Sequence, residues 1–238
     1  MDNAKAKILV LVEGAKTDVK LLKHLLSVYG IDQSHQIISY NTNIYSLYNL
    51  MFRNTNPDDV DILQLLKEHE TVAERKAAFN DERYSDILLI FDLDPQDPQF
   101  SSTKITEMMN YFVESSDMGK LYLNYPMVES FYHMKSIPDD DYWSYTATMQ
   151  ELSNHIYKSR VAAENRNHDY SKFAVNKSEC NIVIKQNIEK AWKIVKDDIS
   201  FKYERILPDP ADVLGIQLKK LKEDNALFVL CTCVFYIP

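Results

Sequence analysis

Glycine is scarce in this chain, four residues in 238. No glycine-rich loop is available to cradle a phosphate, and neither GxGxxG nor the Walker A pattern occurs, which excludes a dinucleotide fingerprint and a P-loop ATPase. Cysteine is nearly as rare. Cys180, Cys231 and Cys233 are an odd count with no CxxC pair, so neither a disulfide framework nor a zinc knuckle is encoded. Cys231 and Cys233 alternate along an apolar run, which predicts buried thiols. Long hydrophobic runs are missing too: Phe228 to Ile237 is far shorter than the roughly 20 residues of a membrane span. The N-terminal apolar run is broken by Glu13 and carries no signal-peptide cleavage site, so a cytoplasmic protein away from membranes is expected. Positive charge is also in deficit. A net charge of −8 argues against gripping nucleic acid by bulk charge, while a local basic patch or a basic partner stays open.

What is present suits a globular protein: 45% apolar and 26% charged residues, in a length that fits one core or one core with an appended subdomain. Ile8 to Val12 reads as a buried parallel strand ended by Glu13-Gly14. Between Thr17 and Tyr29, apolar residues recur at helical spacing, and Gly30 follows as a stop. Gln36 to Tyr40 predicts a second strand, Ile44 to Phe52 a helix, and Asp58 to Asn80 a charged, mostly helical stretch. Asp86 to Phe91 is a third strand, followed by a helix from Thr103 to about Glu114. Lys120 to Asn124 is a fourth strand, and a helix is expected over Met127 to Met134. Strands alternating with helices predict an α/β fold, a Rossmann-like core whose parallel sheet is flanked by helices.

After Pro138 the pattern changes. Residues 139–226 are polar and read as a mostly helical cap or insert, with helical segments near Ser144 to Lys158, Cys180 to Asp198 and Ala211 to Glu223. The expected organisation is a core over 1–138, this cap, and a C-terminal strand over 227–238 that rejoins the sheet.

Acidic residues fall at the ends of three of the expected strands: Glu13 after the first, Asp92 and Asp94 after the third, Glu129 just past the fourth. In a parallel sheet those ends share one edge, where ligands bind. Asp92 and Asp94 flank Leu93, so an extended backbone would point both carboxylates the same way. Hard cations such as Mg²⁺ take oxygen ligands and commonly use one or two carboxylates. Taken singly, each motif also fits a polar turn. Asp97 has two readings, outer-sphere helper or turn residue, and Asp18 at a helix start reads as a favourable dipole charge.

"LVEGAKTD" followed by "DILLIFDLD" resembles the Toprim domain of topoisomerases, bacterial primases and OLD-type nucleases. That family carries a glutamate after its first strand and a DxD after its third, here Glu13, Asp92 and Asp94. The resemblance covers roughly the first 135 residues. "NYPMVESFYHM" is similar to a segment after DxD in stand-alone Toprim proteins of bacterial defence systems. The chain departs from the family in having Asn41-Thr42-Asn43 in place of a glycine near the second strand, and Pro95 and Pro98 in place of the glycine after DxD. No topoisomerase tyrosine or primase zinc module is recognisable.

The resemblance implies a Mg²⁺- or Mn²⁺-dependent nuclease of an antiphage system, with Asp92, Asp94 and Glu129 as metal ligands and Glu13 as ligand or base. Lys16 or Lys104 would stabilise negative charge, or would be solvated surface lysines. The stretch 157–173 interleaves Lys158, Arg160, Arg166, His168 and Lys172 with Tyr157, Tyr170 and Phe173. That pattern fits either an amphipathic helix or stacking against single-stranded nucleic acid, and Arg160, Arg166 and Lys172 are the candidate phosphate or partner contacts. The alternative function is a non-catalytic Toprim effector that binds a nucleotide or an ABC-type ATPase in trans. An oligomer stays open.

Overall fold

A computed structural model of the chain describes residues 7–53, 56–79, 84–116, 118–198 and 207–237. Asn80, where the expected charged helical stretch ends, lies outside them. β1 (Lys7–Val12) is buried from Leu9 onward. α1 (Thr17–Tyr29) turns Leu21, Leu22, Leu25 and Leu26 inward. It stops where Gly30 takes a left-handed φ of 69°, a conformation only glycine adopts without strain, and gives its N–H to the carbonyls of Leu26 and Ser27. β2 (His35–Ser39) leads to α2 (Ile44–Phe52), whose first turn is capped by the Asn43 side chain.

The charged stretch forms two short helices, α3 (Ile62–His69) and α4 (Ala73–Ala78). Between them Glu70 leaves helical geometry and pairs with Arg75 at 2.7 Å. β3 (Tyr84–Asp92) follows, buried from Ile87 to its end, then α5 (Ser102–Tyr111) and β4 (Lys120–Tyr125).

The expected helix after β4 is a 3-10 turn, Val128–Tyr132. It does not propagate because other groups take its carbonyls: Asn165 Nδ2 donates to Tyr132 O at 2.7 Å and Arg166 N to Met134 O at 2.9 Å. β5 (Thr146–Thr148) occupies part of the next expected helical segment. Thr148 then caps α6 (Met149–Ser153) through a reciprocal bond with Glu151. α7 (Tyr157–Glu164), α8 (Lys177–Lys196) and α9 (Pro210–Asp224) supply the rest of the helical part.

The apolar run at the C-terminus is not one strand. β6 (Ala226–Phe228) pairs with β5, β7 (Leu230–Cys231) pairs with β4, and Cys233–Tyr236 is a 3-10 turn. Val229 makes the break by giving its N–H to Tyr145 O at 2.9 Å. All three cysteines are buried and in no disulfide, and for Cys231 and Cys233 burial is what the apolar alternation predicts.

The main sheet has the order β2-β1-β3-β4-β7. β1 is parallel to both its neighbours, and β7 is antiparallel to β4, so this is an α/β fold with a mostly parallel five-stranded sheet flanked by helices. The chain packs as two compact units, Met1–Phe91 with Glu107–Leu121 and Asp92–Thr106 with Tyr122–Pro238. In the first, the connection from β1 leads outward to β2 while β3 lies on β1's other side. That reversal is a topological switch point, and ligands bind beyond the carboxyl ends of strands at such points. Among the described residues no helix is long and apolar enough to cross a membrane.

The core of the second unit contains a buried polar junction. His133 is fully buried, with Nε2 3.1 Å from Glu164 Oε2 and Nδ1 3.2 Å from the Tyr157 hydroxyl. A neutral ring satisfies both, donating to the carboxylate and accepting from the phenol. Burial outweighs the pull of Glu164 and lowers the imidazole pKa to about 4.

The unfolded chain protonates this histidine near pH 6.5. Because the folded pKa is depressed, the unfolded state binds more protons between about 6.5 and about 4. Stability is therefore intact above that window and falls as pH drops through it, by on the order of 3 kcal/mol. Denaturant melts from pH 7 to pH 4 should show this slope in the wild type and a flatter one in His133→Gln. Equal slopes would assign the acid sensitivity elsewhere.

Candidate metal centre

Glu13 is the first residue past β1. Its N–H donates to Ile90 O at 3.2 Å, so the β1–β3 pairing runs one residue beyond Val12↔Ile90. Two residues further along β3 is Asp92, the last residue of that strand and 7% exposed. Glu13, Asp92 and Asp94 each present a carboxylate oxygen, and these oxygens lie within 4.8 Å of one another.

Asp94 reaches this position by a different route from the extended alternation that the sequence predicts. The strand stops at Asp92, and Asp94 has a φ of 40° in the left-handed region. Asp and Asn adopt that region more readily than other residues with a side chain. Backbone bonds hold the turn: Leu93 N donates to Asn124 O at 3.0 Å, Asp94 N to Pro126 O at 3.2 Å, and Asp97 N to Asp94 O at 2.9 Å. Asp97 is a turn residue here, its Oδ1 accepting from Gln99 N at 2.7 Å.

Gly14 follows Glu13 for a steric reason. A Cβ at this position would run into the carboxylate of Asp18, which is buried in the first turn of α1. Asp18 thus sits where a dipole charge is favourable, packed against the loop that carries Glu13.

Neutral donors stabilise Asp92 and Asp94. Asn124, fully buried, gives Nδ2 to Asp92 Oδ1 at 3.2 Å and takes the Cys231 thiol at Oδ1, 3.4 Å away. Gln96 Nε2 donates to Asp94 Oδ1 at 3.0 Å. Burial nevertheless raises the Asp94 pKa. The Gln96 bond and the Lys158 charge oppose this rise, and the Glu129 and Asp97 charges add to it.

Glu129 stands outside the 4.8 Å set. It is 5% exposed on the 3-10 turn, with Oε1 3.2 Å from Lys158 Nζ and Oε2 buried without a hydrogen-bond partner. A buried carboxylate oxygen without a partner is costly unless a cation satisfies it. Hard oxygen donors only, several of them buried, fit a divalent cation such as Mg²⁺ or Mn²⁺ better than a soft metal.

The other expected residues are placed as follows. Lys16 is exposed at the N-terminal boundary of α1, and Lys104 is half-buried in the first turn of α5. Arg160 is tied to Glu151 at 2.8 Å, Glu164 at 3.2 Å and Thr146 O at 3.0 Å, and Arg166 to Glu179 at 3.0 Å. Lys172 is exposed beside Asp169. Tyr157 and Phe173 are core residues, while Tyr170 stacks on Tyr132 with centroids 4.2 Å apart. Asn124, Gln96 and Lys158 contact these acids and were not assigned to the site by sequence reasoning. Asn124 opens NYPMVES, two residues before its proline, and Lys158 belongs to the basic stretch, but neither position names its partner.

Comparison with protein-family models, curated proteins and solved structures finds no match to the chain.

If the acids repel one another as their burial implies, removing one charge stabilises the metal-free fold. Asp94→Asn keeps the left-handed backbone and the Gln96 bond while deleting the charge. It should raise the melting temperature in chelator by about 2–4 °C, the shift that ~1 kcal/mol makes in a chain of this length. A lower melting temperature would mean that the Asp94 carboxylate makes a needed structural contact.

Proposed function

We propose that this chain is a Toprim-fold phosphodiester hydrolase that depends on Mg²⁺ or Mn²⁺ and cleaves nucleic acid in the cytoplasm as part of a bacterial antiphage system. The observation that carries this reading is the convergence of Glu13, Asp92 and Asp94 at the carboxyl ends of β1 and β3. Such a convergence is expensive in mutual repulsion and desolvation, and a cation offsets both terms. The nuclease and defence assignments come from the Toprim resemblance of "LVEGAKTD" and "DILLIFDLD".

On this reading Asp92 and Asp94 hold the metal, with Glu13 and Glu129 as the carboxylates beside them. When bound, the cation supplies Lewis-acid polarisation of a phosphate oxygen. Asn124 fixes the Asp92 carboxylate by donating to one of its oxygens. Glu13, half-buried, takes the proton from the attacking water as its oxygen bonds to phosphorus and the bridging P–O bond breaks; the departing oxygen collects a proton from solvent. Lys16 or Lys104 supplies positive charge to the phosphate.

Wild-type protein incubated with tRNA, plasmid and single-stranded DNA should cleave at least one of them in Mn²⁺ or Mg²⁺ and none in chelator. Asp92→Asn should abolish cleavage. Glu13→Gln should lower it by about 100-fold or more, a typical size for general-base loss, with an unchanged or higher melting temperature. Absence of metal-dependent cleavage on all three substrates would overturn the hydrolase reading and favour a regulatory Toprim subunit serving an ABC-type ATPase in trans.

A further inference from the structure

Lys158, in the first turn of α7, combines an exposed stem with a buried partner. Its side chain is 63% exposed, while the Glu129 carboxylate that it meets at 3.2 Å is 6% exposed. A lysine that pairs only with surface acids contributes little and is free to leave. Here the partner is buried, and among the described residues Glu129 is its one ion-pair partner. The other cations nearby are occupied. Arg160 bridges Glu151 and Glu164, Arg166 binds Glu179, and Lys190 is buried with its Nζ on the carbonyls of Tyr142 and Tyr145. Burial works against the Lys158 charge, yet Glu129, and behind it Asp92 and Asp94, more than compensate. The ammonium therefore lies within the field of the same carboxylates that would hold the metal.

We propose that Lys158 is a tethered counter-ion for this site: without metal its ammonium neutralises Glu129 and competes with a divalent cation for the carboxylates, and once displaced it moves to the phosphate of the bound nucleic acid. The inference rests on the metal-dependent hydrolase reading above and adds the regulation of the same site. An ammonium on a flexible four-carbon stem is a mobile point charge, unlike the planar guanidinium fork. Because the stem is mostly in solvent, its movement breaks little packing. Leaving Glu129 frees that carboxylate for the cation, whose second charge more than replaces the ammonium's. The released Lys158 then lies beside the metal-loaded acids, where it can meet the charge that develops on a phosphate during cleavage.

Titration calorimetry with Mn²⁺ on wild type, Lys158→Gln and Lys158→Arg tests the first half without any substrate. Lys158→Gln should bind Mn²⁺ about 3- to 10-fold more tightly than wild type, the order expected for removing one competing charge near a half-buried site. It should also melt lower in chelator, because Glu129 has lost its partner. In a Glu129→Gln background, the same lysine substitution should change Mn²⁺ affinity much less than in wild type, since the carboxylate it holds directly is gone. Lys158→Arg should keep near wild-type affinity.

The second half is read in cleavage at saturating Mn²⁺. Lys158→Gln should lose about 30-fold or more in rate despite its tighter metal binding, an opposition that a purely structural lysine would not produce. Equal or weaker Mn²⁺ binding by Lys158→Gln overturns the counter-ion role, whatever the cleavage result. If wild type binds Mn²⁺ and cleaves nothing while Lys158→Gln binds more tightly, the hydrolase reading fails and the counter-ion role stands. Tighter binding with an unchanged cleavage rate would refute the move to phosphate.

Discussion

The parallel pairing of β1 with β3 is the constraint on which the candidate site depends. Val12 lies opposite Ile90, and the Glu13 N–H adds one more bond to Ile90 O. Each strand is a run of buried Leu, Ile and Val, and their burial specifies the register. A slip of one residue would move Glu13 by about 3.3 Å along the sheet, comparable to the spacing that now brings the three acids together. The polar residues are positioned by the apolar ones, and the electrostatic cost at the strand ends is carried by hydrophobic pairing behind them.

That cost is visible in the identity of the surrounding groups. Asn124 and Gln96 are neutral amides that donate to Asp92 and Asp94 without adding a positive charge. A pair of arginines at those positions would satisfy the acids more strongly, but would also fill the place a cation needs. Amides hold carboxylates in position and leave their charge available, which is the usual arrangement behind metal ligands. Lys158 is the exception, a cation on a 63% exposed side chain whose departure from Glu129 would break little packing.

Much of the fold was legible in the sequence because local signals and the tertiary arrangement agree. α1 spans Thr17 to Tyr29 as its periodicity and Gly30 predict, and α2 follows Asn43 as a cap. β3 is legible as an apolar run, and the DxD after it as an anomaly. The failures occur where distant groups decide. Nothing between Met127 and Met134 shows that Asn165 and Arg166 will take the carbonyls a helix would need. The run Leu227 to Tyr236 is apolar on every face, so periodicity cannot locate the break at Val229, which Tyr145 O imposes from about eighty residues away. The cationic stretch was legible as a pattern, but its internal division was not. Arg160 and Arg166 find acids on the helices of residues 149–196, whereas Lys158, two positions before Arg160, finds Glu129 on the 3-10 turn after β4.

The overall acidity of the chain then constrains how any polyanionic substrate could approach. With a net charge of −8, the long-range field opposes a nucleic acid, and the carboxylates at the end of β3 add to that opposition locally. Beside the lysines assigned to the phosphate, a divalent cation held by the acids and Lys158 are sources of positive charge that would reverse it there. On the proposed reading Lys158 holds Glu129 while no metal is bound, and the two charges act together after the cation has displaced the ammonium. On the proposed reading, metal would therefore load before substrate, because a nucleic acid arriving first would meet net negative charge with Lys158 already committed to Glu129. On that reading the paired Lys158–Glu129 arrangement would keep the site electrostatically closed until a divalent ion arrives, and the displacement that admits the ion would supply a cation to the phosphate.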